Sequence, residues 1–229
     1  MPNRSYTNFD IEIPADVKKI LLSFSGGTES VLSLYTISEY IKHFNLDIKV
    51  SVIHGLDTKD CPESLHNVDI MLEKIGKIFN TTFDLHTFQY EGVEKKSEIH
   101  NKNIEKTIEE YGYDMVIFGS SANPPIEVMK EIYPKKDPTT IRCNRNPDIR
   151  KTENRLKLKK VNGKKFYKFW PVLWLHKKQI AEAFKQYDDL LEIQKLTRSC
   201  DRTVNGVPCK KCYACAEKKW GFGFYDGGL

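Results

Sequence analysis

Four of the six cysteines lie close together near the end of the sequence and have the spacing of metal ligands. They are Cys200, Cys209, Cys212 and Cys215. Gaps of two residues let successive thiolates reach one ion at about 2.3 Å, and four thiolates with no open position are typical of structural zinc. An iron–sulfur cluster is the alternative, because a Cys-x2-Cys-x2-Cys run also suits a cubane. The sequence predicts a metal centre here and treats Cys61 and Cys143 as ordinary small residues.

A second group of residues has the composition of an anion-binding turn. It consists of Ser23, Ser25, Gly26, Gly27, Thr28, Glu29 and Ser30. Two adjacent glycines let the backbone approach an oxyanion, and the start of a following helix adds about half a positive charge. No lysine follows as in a Walker loop, and the dinucleotide pattern Gly-x-Gly-x-x-Gly is missing. The turn predicts phosphate binding; its alternative interpretation is that the serines merely cap the helix.

The elements around this turn alternate between strand and helix patterns. Strands are predicted at 17–24, 48–53, 82–88 and 114–118, and helices at 30–44, 62–79, 97–111, 126–133 and 176–187. Alternation of this kind predicts an α/β fold whose mostly parallel sheet carries helices on both faces. Ligands bind outside the carboxyl ends of such strands. The turn falls at one of these ends, and so do His54, Gly55 and Gly119, which become candidate pocket residues.

Charge is concentrated in one segment of an otherwise ordinary globular composition. The chain has 229 residues, of which 40% are hydrophobic, and a net charge of +5. Residues 134–168 hold 13 Lys or Arg against 3 acidic residues. Within this segment, 156–161 and 164–170 flank Asn162-Gly163, which predicts a β-hairpin that projects from the body. Its lysines would either protect a sheet edge or contact the phosphates of a nucleic acid.

No stretch approaches the roughly 20 apolar residues that a membrane-spanning helix needs. Residues 1–19 carry acids and prolines where a signal peptide would have an apolar run. The expectation is a cytoplasmic protein without a membrane partner. A homodimer is one candidate for its assembly state.

The two motifs together resemble the 7-cyano-7-deazaguanine synthase (QueC-like) family of PP-loop ATP pyrophosphatases. The turn reads Ser-Gly-Gly-x-acid-Ser, as in that family's pyrophosphate loop. Further similar stretches are Ile117–Ser120, Phe169–Lys177, Leu196–Asp201 and Pro208–Cys215, the last followed by Gly221-Phe222. The likeness covers both ends of the chain and part of the middle.

The resemblance implies a Rossmann-like (HUP/PP-loop) core over 1–198, with the basic hairpin inserted at about 134–168, and a four-cysteine zinc module over 199–229. It also implies ATP, Mg²⁺ and Zn²⁺ as cofactors. The turn residues would hold the outer phosphates, with Ser25, Glu29 and Lys177 as catalytic residues. The implied reaction adenylates 7-carboxy-7-deazaguanine and uses ammonia to form the amide or the nitrile, 7-cyano-7-deazaguanine. Valine at Gly26 or Gly27 is then expected to abolish ATP turnover and leave the fold intact.

The sequence departs from the family in the glycine turn and in the two stretches that help to recognise the acceptor base. Glu29 stands in place of an aspartate, and Ser121–Pro125 replaces the family's aspartate-phenylalanine-serine-glycine-tyrosine stretch. The valine-proline-glycine-arginine-asparagine stretch is absent between Tyr90 and Tyr113. Two alternatives therefore stay open. One is a PP-loop enzyme that thiolates or amidates another carbonyl, such as an RNA base; the other is a zinc-containing nucleic-acid-binding protein.

Overall fold

The structure is a computed structural model that describes residues 5–6, 9–92 and 96–228. Its strands are β1 (Ser5–Tyr6), β2 (Phe9–Asp10), β3 (Lys19–Ser23), β4 (Lys49–Asp57), β5 (Asp84–Tyr90), β6 (Met115–Phe118), β7 (Leu156–Val161), β8 (Lys164–Phe169), β9 (Thr203–Val204) and β10 (Val207–Pro208). Its α-helices are α1 (Thr28–His43), α2 (Ser64–Phe79), α3 (Lys96–Tyr111), α4 (Ile126–Ile132), α5 (Pro147–Thr152), α6 (Lys177–Phe184), α7 (Asp188–Gln194) and α8 (Tyr213–Phe222).

Six strands form one sheet in the order β5-β4-β3-β6-β8-β7. The first five are parallel, and β7 joins β8 in antiparallel pairing. The predicted α/β class with a mostly parallel sheet is confirmed. Chain order runs outward from β3 in both directions, so the carboxyl ends of β3 and β6 flank the point where strand order reverses. Ligand crevices of open α/β sheets form at such a point.

Helix α1 lies inside the molecule because its sequence is apolar or small on nearly every side. Ten of its 16 residues are buried, and it packs against α2, α6 and the sheet. Buried Ser33 and Thr36 donate to the carbonyls of Glu29 and Leu32 at 2.8 and 2.9 Å, which satisfies hydroxyls that water cannot reach. The opposite sheet face is covered by α3 through Ile104 and Ile108. These two layers fix where α1 begins, and therefore where the glycine turn lies.

The end of β6 approaches the first turn of α1 more closely than any side chain allows. A Cβ on Gly119 would lie 2.6 Å from the Ser30 backbone nitrogen. Gly119 therefore acts as a packing residue behind the turn.

The basic hairpin forms as predicted, but the expectation that it projects from the body is wrong. Asn162 and Gly163 adopt φ of 43° and 87°, as an Asn-Gly hairpin turn requires. Strand β8, however, pairs with β6 over Met115–Ile117. Phe166 and Phe169 of β8 are buried, so β8 is a strand of the main sheet. Only β7 forms its edge.

Three helices, α5, α7 and α8, were not predicted. The predicted helix 176–187 corresponds to α6, which ends three residues earlier. Helix α7 follows after a short break, because Tyr187 leaves the helical conformation with φ −133° and ψ 110°. Helix α5 is a short helix that begins with Pro147, capped by the Asn146 side chain. In the described part of the chain, no helix combines the length and apolarity needed to cross a membrane.

The last helix, α8, lies against α6 because a glycine permits close contact. A Cβ on Gly221 would lie 2.5 Å from the Lys177 Cβ and 2.8 Å from its carbonyl carbon. The C-terminal module therefore packs directly on the helix that carries Lys177.

Gly221→Ala tests this contact by the sign of its effect. Alanine in place of a helical glycine normally stabilises by up to about 1 kcal/mol. Here we expect destabilisation by about 1–3 kcal/mol, because α6 and α8 must separate. Urea unfolding measures the change, with exposed Lys219→Ala in the same helix as the control. A more stable Gly221→Ala protein would contradict the contact.

Candidate functional site

The glycine turn is held in shape by its own polar groups. Gly26 has φ +74°, which favours glycine. The Gly27 amide donates to Ser25 Oγ at 3.3 Å, and the Ser30 hydroxyl donates to the Gly27 carbonyl at 3.0 Å. Gly27 is the N-cap of α1, and no side chain in the described residues caps this helix. The interpretation that the serines merely cap α1 is therefore wrong. The first backbone amides of α1 therefore have no side-chain cap among the described residues.

A cavity of about 540 Å³ lies in front of this turn. Its walls come from the carboxyl ends of β3, β4 and β5, the start of α3 and the segment that leads to the cysteines. Of the predicted site residues, the cavity is lined by Ser23, Ser25, Gly27, Glu29, His54, Gly55 and Lys177. Gly26, Thr28, Ser30 and Gly119 lie behind its surface and shape it. The volume is in the range typical of small-molecule sites.

The centre of the site is a buried ion pair between Lys177 and Glu29. Lys177 Nζ donates to Glu29 Oε2 at 2.6 Å and to Thr28 Oγ1 at 2.7 Å. Ser121 Oγ donates to the other oxygen, Glu29 Oε1, at 2.9 Å. Burial alone would raise the pKa of Glu29, but Lys177 and then Arg145 hold this pKa far below its usual range. Glu29 is thus a carboxylate across the whole physiological pH range.

Two arginines that sequence reasoning missed extend this network. Arg145 donates to the Ser121 carbonyl at 2.7 Å and to Glu217 Oε1 at 2.8 Å. Arg142 lies 3.7 Å from Glu217 Oε2 and lines the cavity. Both belong to the basic segment 134–168, whose charge was interpreted as one projecting arm. The sequence showed that the segment is rich in basic residues. It did not show that Arg142 and Arg145 lie at the site while the hairpin lysines lie on β7 and β8.

His54 lines the cavity, as predicted, but its ring is engaged on both sides. Its Nδ1 donates to the Phe24 carbonyl at 2.8 Å, and its Nε2 lies 3.2 Å from Ser64 Oγ. Burial lowers the pKa of His54. A neutral ring in this position ties the end of β3 to the start of α2. It therefore shapes the cavity, and its geometry gives no sign of a role in proton transfer.

A second histidine, His100 on α3, was not singled out from the sequence. Its Nε2 lies 3.1 Å from Ser23 Oγ. Burial, Lys96 and His54 together lower the pKa of His100 to about 4, so the ring is neutral at pH 7. His100 and Ser23 give the cavity two uncharged polar groups.

The four clustered cysteines converge as their spacing predicts. The four sulfur atoms lie within 4.8 Å of one another, and Cys209 Sγ and Cys215 Sγ are 3.9 Å apart. The amides of Cys209 and Cys212 donate to the sulfurs of Cys200 and Cys209 at 3.2 and 3.4 Å, which favours thiolates. This set can hold one metal ion. Cys61 and Cys143 are outside it, as expected.

The segment that leads to the cysteines is bonded to the glycine turn. The Arg198 amide donates to the Gly26 carbonyl at 2.9 Å. Asp226 Oδ2 accepts from the amides of Ser199 and Cys200 at 2.7 and 2.8 Å, and Lys218 Nζ lies 2.9 Å from Asp226 Oδ1. The metal module and the turn therefore share one backbone connection.

These contacts correct the expectation that valine at Gly26 or Gly27 would leave the fold intact. A Cβ on Gly26 would lie 3.2 Å from Met71 Cε, in a backbone conformation that disfavours side chains. A Cβ on Gly27 would lie 3.3 Å from the Arg198 carbonyl oxygen. Both additions point into the protein, so valine at either position disturbs packing as well as the turn.

Glu29→Gln tests the buried ion pair through its pH dependence. The variant leaves Lys177 without its counter-charge, and we expect a loss of about 3 kcal/mol of unfolding free energy at pH 7. Because the pKa of Glu29 is lowered on folding, the stabilisation is present above about 4.5, the ordinary value, and is lost as the pH falls below it. The difference between variant and wild type should therefore shrink in acid.

Urea unfolding at several pH values measures this difference. Glu73→Gln, which removes an exposed ion pair with Lys77, is the control and should have little effect at any pH. A Glu29→Gln protein as stable as wild type at pH 7 would contradict the assigned pair.

Comparison with known proteins bears on the C-terminal part of the chain. Residues 135–226 match the family model described as "Queuosine biosynthesis protein QueC". This stretch contains Arg142, Arg145, Lys177 and all four clustered cysteines, and it begins after the glycine turn. No curated protein matches the chain.

Several solved structures are distantly similar. The U34-tRNA thiolase NcsA from Methanococcus maripaludis, described with its [4Fe-4S] cluster, has a TM-score of 0.49 and 12% identity over 77% of this chain and 57% of its own. NMN synthetase from Francisella tularensis has a TM-score of 0.44 and 11% identity, and the match covers 90% of this chain and 77% of the synthetase. FMN adenylyltransferase from Candida glabrata, in complex with FMN and an ATP analogue, has a TM-score of 0.41 and 15% identity. This match covers 70% of this chain and 46% of the adenylyltransferase.

The chain spans 57% and 46% of the thiolase and the adenylyltransferase, and likenesses this distant say nothing of its activity. The family model matches a segment that holds several of the stretches on which the resemblance to the QueC-like family rests. Over residues 135–226 the chain is similar to the family described as "Queuosine biosynthesis protein QueC".

Proposed function

We propose that the protein is an ATP-dependent ligase that transfers AMP to a carboxylate and then replaces the AMP with ammonia. One observation carries this proposal. Ser25 and Gly27 line a cavity that Glu29, Lys177 and Arg198 also line, and α1 begins directly after them without a side-chain cap from the described residues. Backbone amides and fixed cations around one small cavity are what a polyphosphate requires.

The proposed phosphate contacts come from donors at the cavity wall. Ser25 and Gly27 line the cavity, and the first turn of α1, which no described side chain caps, follows directly after them. Lys177 has three N–H donors, of which Glu29 and Thr28 take two. The third is available to a phosphate oxygen. These groups would bind the β and γ phosphates and stabilise charge on pyrophosphate as it leaves.

Magnesium would accompany ATP, but Glu29 suits it poorly in this structure. Each of its carboxylate oxygens already accepts a hydrogen bond from a neighbouring side chain. A contact between Glu29 and Mg²⁺ is therefore not part of the proposed mechanism. Glu29 instead positions Lys177, although the sequence predicted it as a catalytic residue.

The acceptor proposed is 7-carboxy-7-deazaguanine, which the QueC-like match over residues 135–226 supports. A carboxylate oxygen attacks the α-phosphorus, and the bond to the β-phosphate oxygen breaks, releasing pyrophosphate. Ammonia then adds to the acyl carbon, AMP leaves with the oxygen, and one proton goes to solvent. A second ATP adenylates the amide oxygen, which releases pyrophosphate and one amide proton. Loss of AMP and of the remaining N–H proton then gives the nitrile. Arg142, a partly exposed cation at the cavity wall, is suited to bind the carboxylate.

Incubation with ATP, Mg²⁺, ammonium and 7-carboxy-7-deazaguanine tests this function. We expect AMP, pyrophosphate and a product whose mass is that of the amide or nitrile. Ser25→Ala should lower the rate by about 10- to 1000-fold, as loss of one transition-state donor does elsewhere. Ser51→Ala, the same change in the middle of β4, is the control. AMP formation that ignores the acceptor would contradict the proposal.

The same assay separates the two alternatives. AMP release that requires RNA would favour an RNA base as the acceptor. Nucleic-acid binding without any ATP turnover would favour the non-enzymatic interpretation.

We further propose that the four cysteines hold structural zinc. Four thiolates around one ion at about 2.3 Å have sulfurs roughly 3.8 Å apart, close to the 3.9 Å between Cys209 and Cys215. In a cubane each thiolate binds a different iron, which sets the sulfurs farther apart. The residues therefore fit a single tetrahedral ion better than a cluster.

Metal analysis of the purified protein tests this assignment. We expect about one zinc per chain and no visible colour. Stripping zinc with a chelator should also weaken binding of an ATP analogue, because the Arg198 amide supports the glycine turn. Brown protein with iron and sulfide would contradict zinc. Unchanged analogue affinity after stripping would contradict the coupling between the module and the turn.

A further inference from the structure

A pair of stacked aromatic rings lies beside the cavity on the sheet face covered by α3. Ser23 pairs with Phe118, and the pairing of Ile117 with Phe169 places Trp170 next in the same row. The rings of Phe118 and Trp170 are 5.4 Å apart and inclined by 20°. We call these two residues the aromatic shelf. Both are only partly buried, so the shelf is open to solvent next to Ser23, which lines the cavity.

Two lysines from the edge hairpin lie over the shelf. Lys157 Nζ is 5.5 Å from the Trp170 ring centre, and Lys168 Nζ is 5.7 Å from that of Phe118. The two lysines are directly opposite each other on β7 and β8. Glu153 lies 3.4 Å from Lys157, and Glu105 on α3 faces Lys168. The shelf is thus bordered by two cations on one side of the strand pair.

Edge protection does not account for this arrangement. A protected edge needs charges on its outermost strand, whereas β8 lies one strand inside and carries three lysines of its own. Lys160 and Lys165 form a second pair of directly opposite lysines. Like charges in opposite positions destabilise a strand pair. Within the described residues, neither member of this second pair has an ion-pair partner. Lys157 and Lys168 are opposed in the same way on the face of the shelf, so an anionic ligand there would relieve their repulsion.

A buried arginine adds charge at the inner end of the shelf. Arg150 is 7% exposed and donates to Ser120 Oγ at 3.4 Å, two residues beyond Phe118. Its Nε has no hydrogen-bond partner in the described part of the chain, and its ion-pair partner, Glu153, is 3.6 Å away. A guanidinium in this state retains donors for an anion.

We propose that the aromatic shelf and the surrounding lysines bind single-stranded RNA. Aromatic faces stack unpaired bases, and lysines alongside contact the backbone phosphates. A duplex keeps its bases stacked on one another and cannot use the shelf. A loop or an end of RNA on the shelf would lie at the mouth of the cavity. The proposal does not depend on the acceptor or the ATP reaction proposed above.

Fluorescence anisotropy with a labelled ten-nucleotide RNA tests the shelf. We expect salt-sensitive binding by the full chain, weakened roughly five- to hundredfold by Trp170→Ala, the usual range for losing one stacked base. Trp170→Phe keeps a ring in place and should retain most of the affinity. If the alanine variant fails to fold, the affinity of Trp170→Phe still tests whether an aromatic ring at this position supports binding.

The lysines are tested by a matched pair of double variants. Lys157→Ala with Lys168→Ala should lower the dependence of log affinity on log salt by about 1.4, because each single-strand phosphate contact contributes about 0.7. Lys160→Ala with Lys165→Ala makes the same charge change on the other sheet face and should have a smaller effect.

Three results would overturn the proposal. They are no RNA binding at roughly 50 mM salt, equal effects of the two double variants, and wild-type affinity in Trp170→Ala. Equal binding of duplex RNA or of DNA would overturn the choice of single-stranded RNA. Release of AMP in the acceptor assay is measured separately, so failure here leaves the ligase proposal standing.

Discussion

The ion pair between Lys177 and Glu29 is the interaction on which the site depends. Lys177 begins α6, Glu29 lies in the first turn of α1, and their side chains are only 3% and 14% exposed. Gly221 on α8 packs on the Lys177 backbone, and Ser121 after β6 donates to Glu29. Four segments that are distant in sequence therefore meet at one pair of charges. Since an uncompensated buried charge is costly, none of them can move alone.

This arrangement gives the metal module a role beyond tethering the end of the chain. Asp226 fixes the amides at the entrance to the cysteine loop, and the next residue back, Arg198, bonds to Gly26. The glycine turn at the end of β3 is therefore hydrogen-bonded to the segment that leads into the module. A metal that orders the cysteines also orders one wall of the cavity. The module and the glycine turn are thus joined into one unit in this structure.

Much of the fold followed from local pattern. Runs such as Ile20–Leu22 are apolar because parallel strands are buried on both faces, and the alternation with helices determined the class. The Asn162-Gly163 pair predicted the position of the turn between β7 and β8. The pairing of β8 with β6 was not visible, because a lysine-rich strand resembles a solvent-exposed edge until its buried residues, Phe166 and Phe169, are placed. Arg142 and Arg145 were missed because only tertiary contacts separate an arginine bonded within the site from a solvent-exposed one. Glu29 was placed correctly, but its partners were set by segments far along the chain.

The central claim is that the Ser25–Gly27 turn and Lys177 hold the outer phosphates of ATP while AMP is transferred. A crystal structure with α,β-methylene-ATP tests it most directly. The account predicts the β and γ phosphates within hydrogen-bond distance of the Gly27 amide, the Ser25 hydroxyl and Lys177 Nζ. An analogue bound elsewhere, or phosphates that avoid the turn and leave Lys177 bonded only to Glu29 and Thr28, would contradict it.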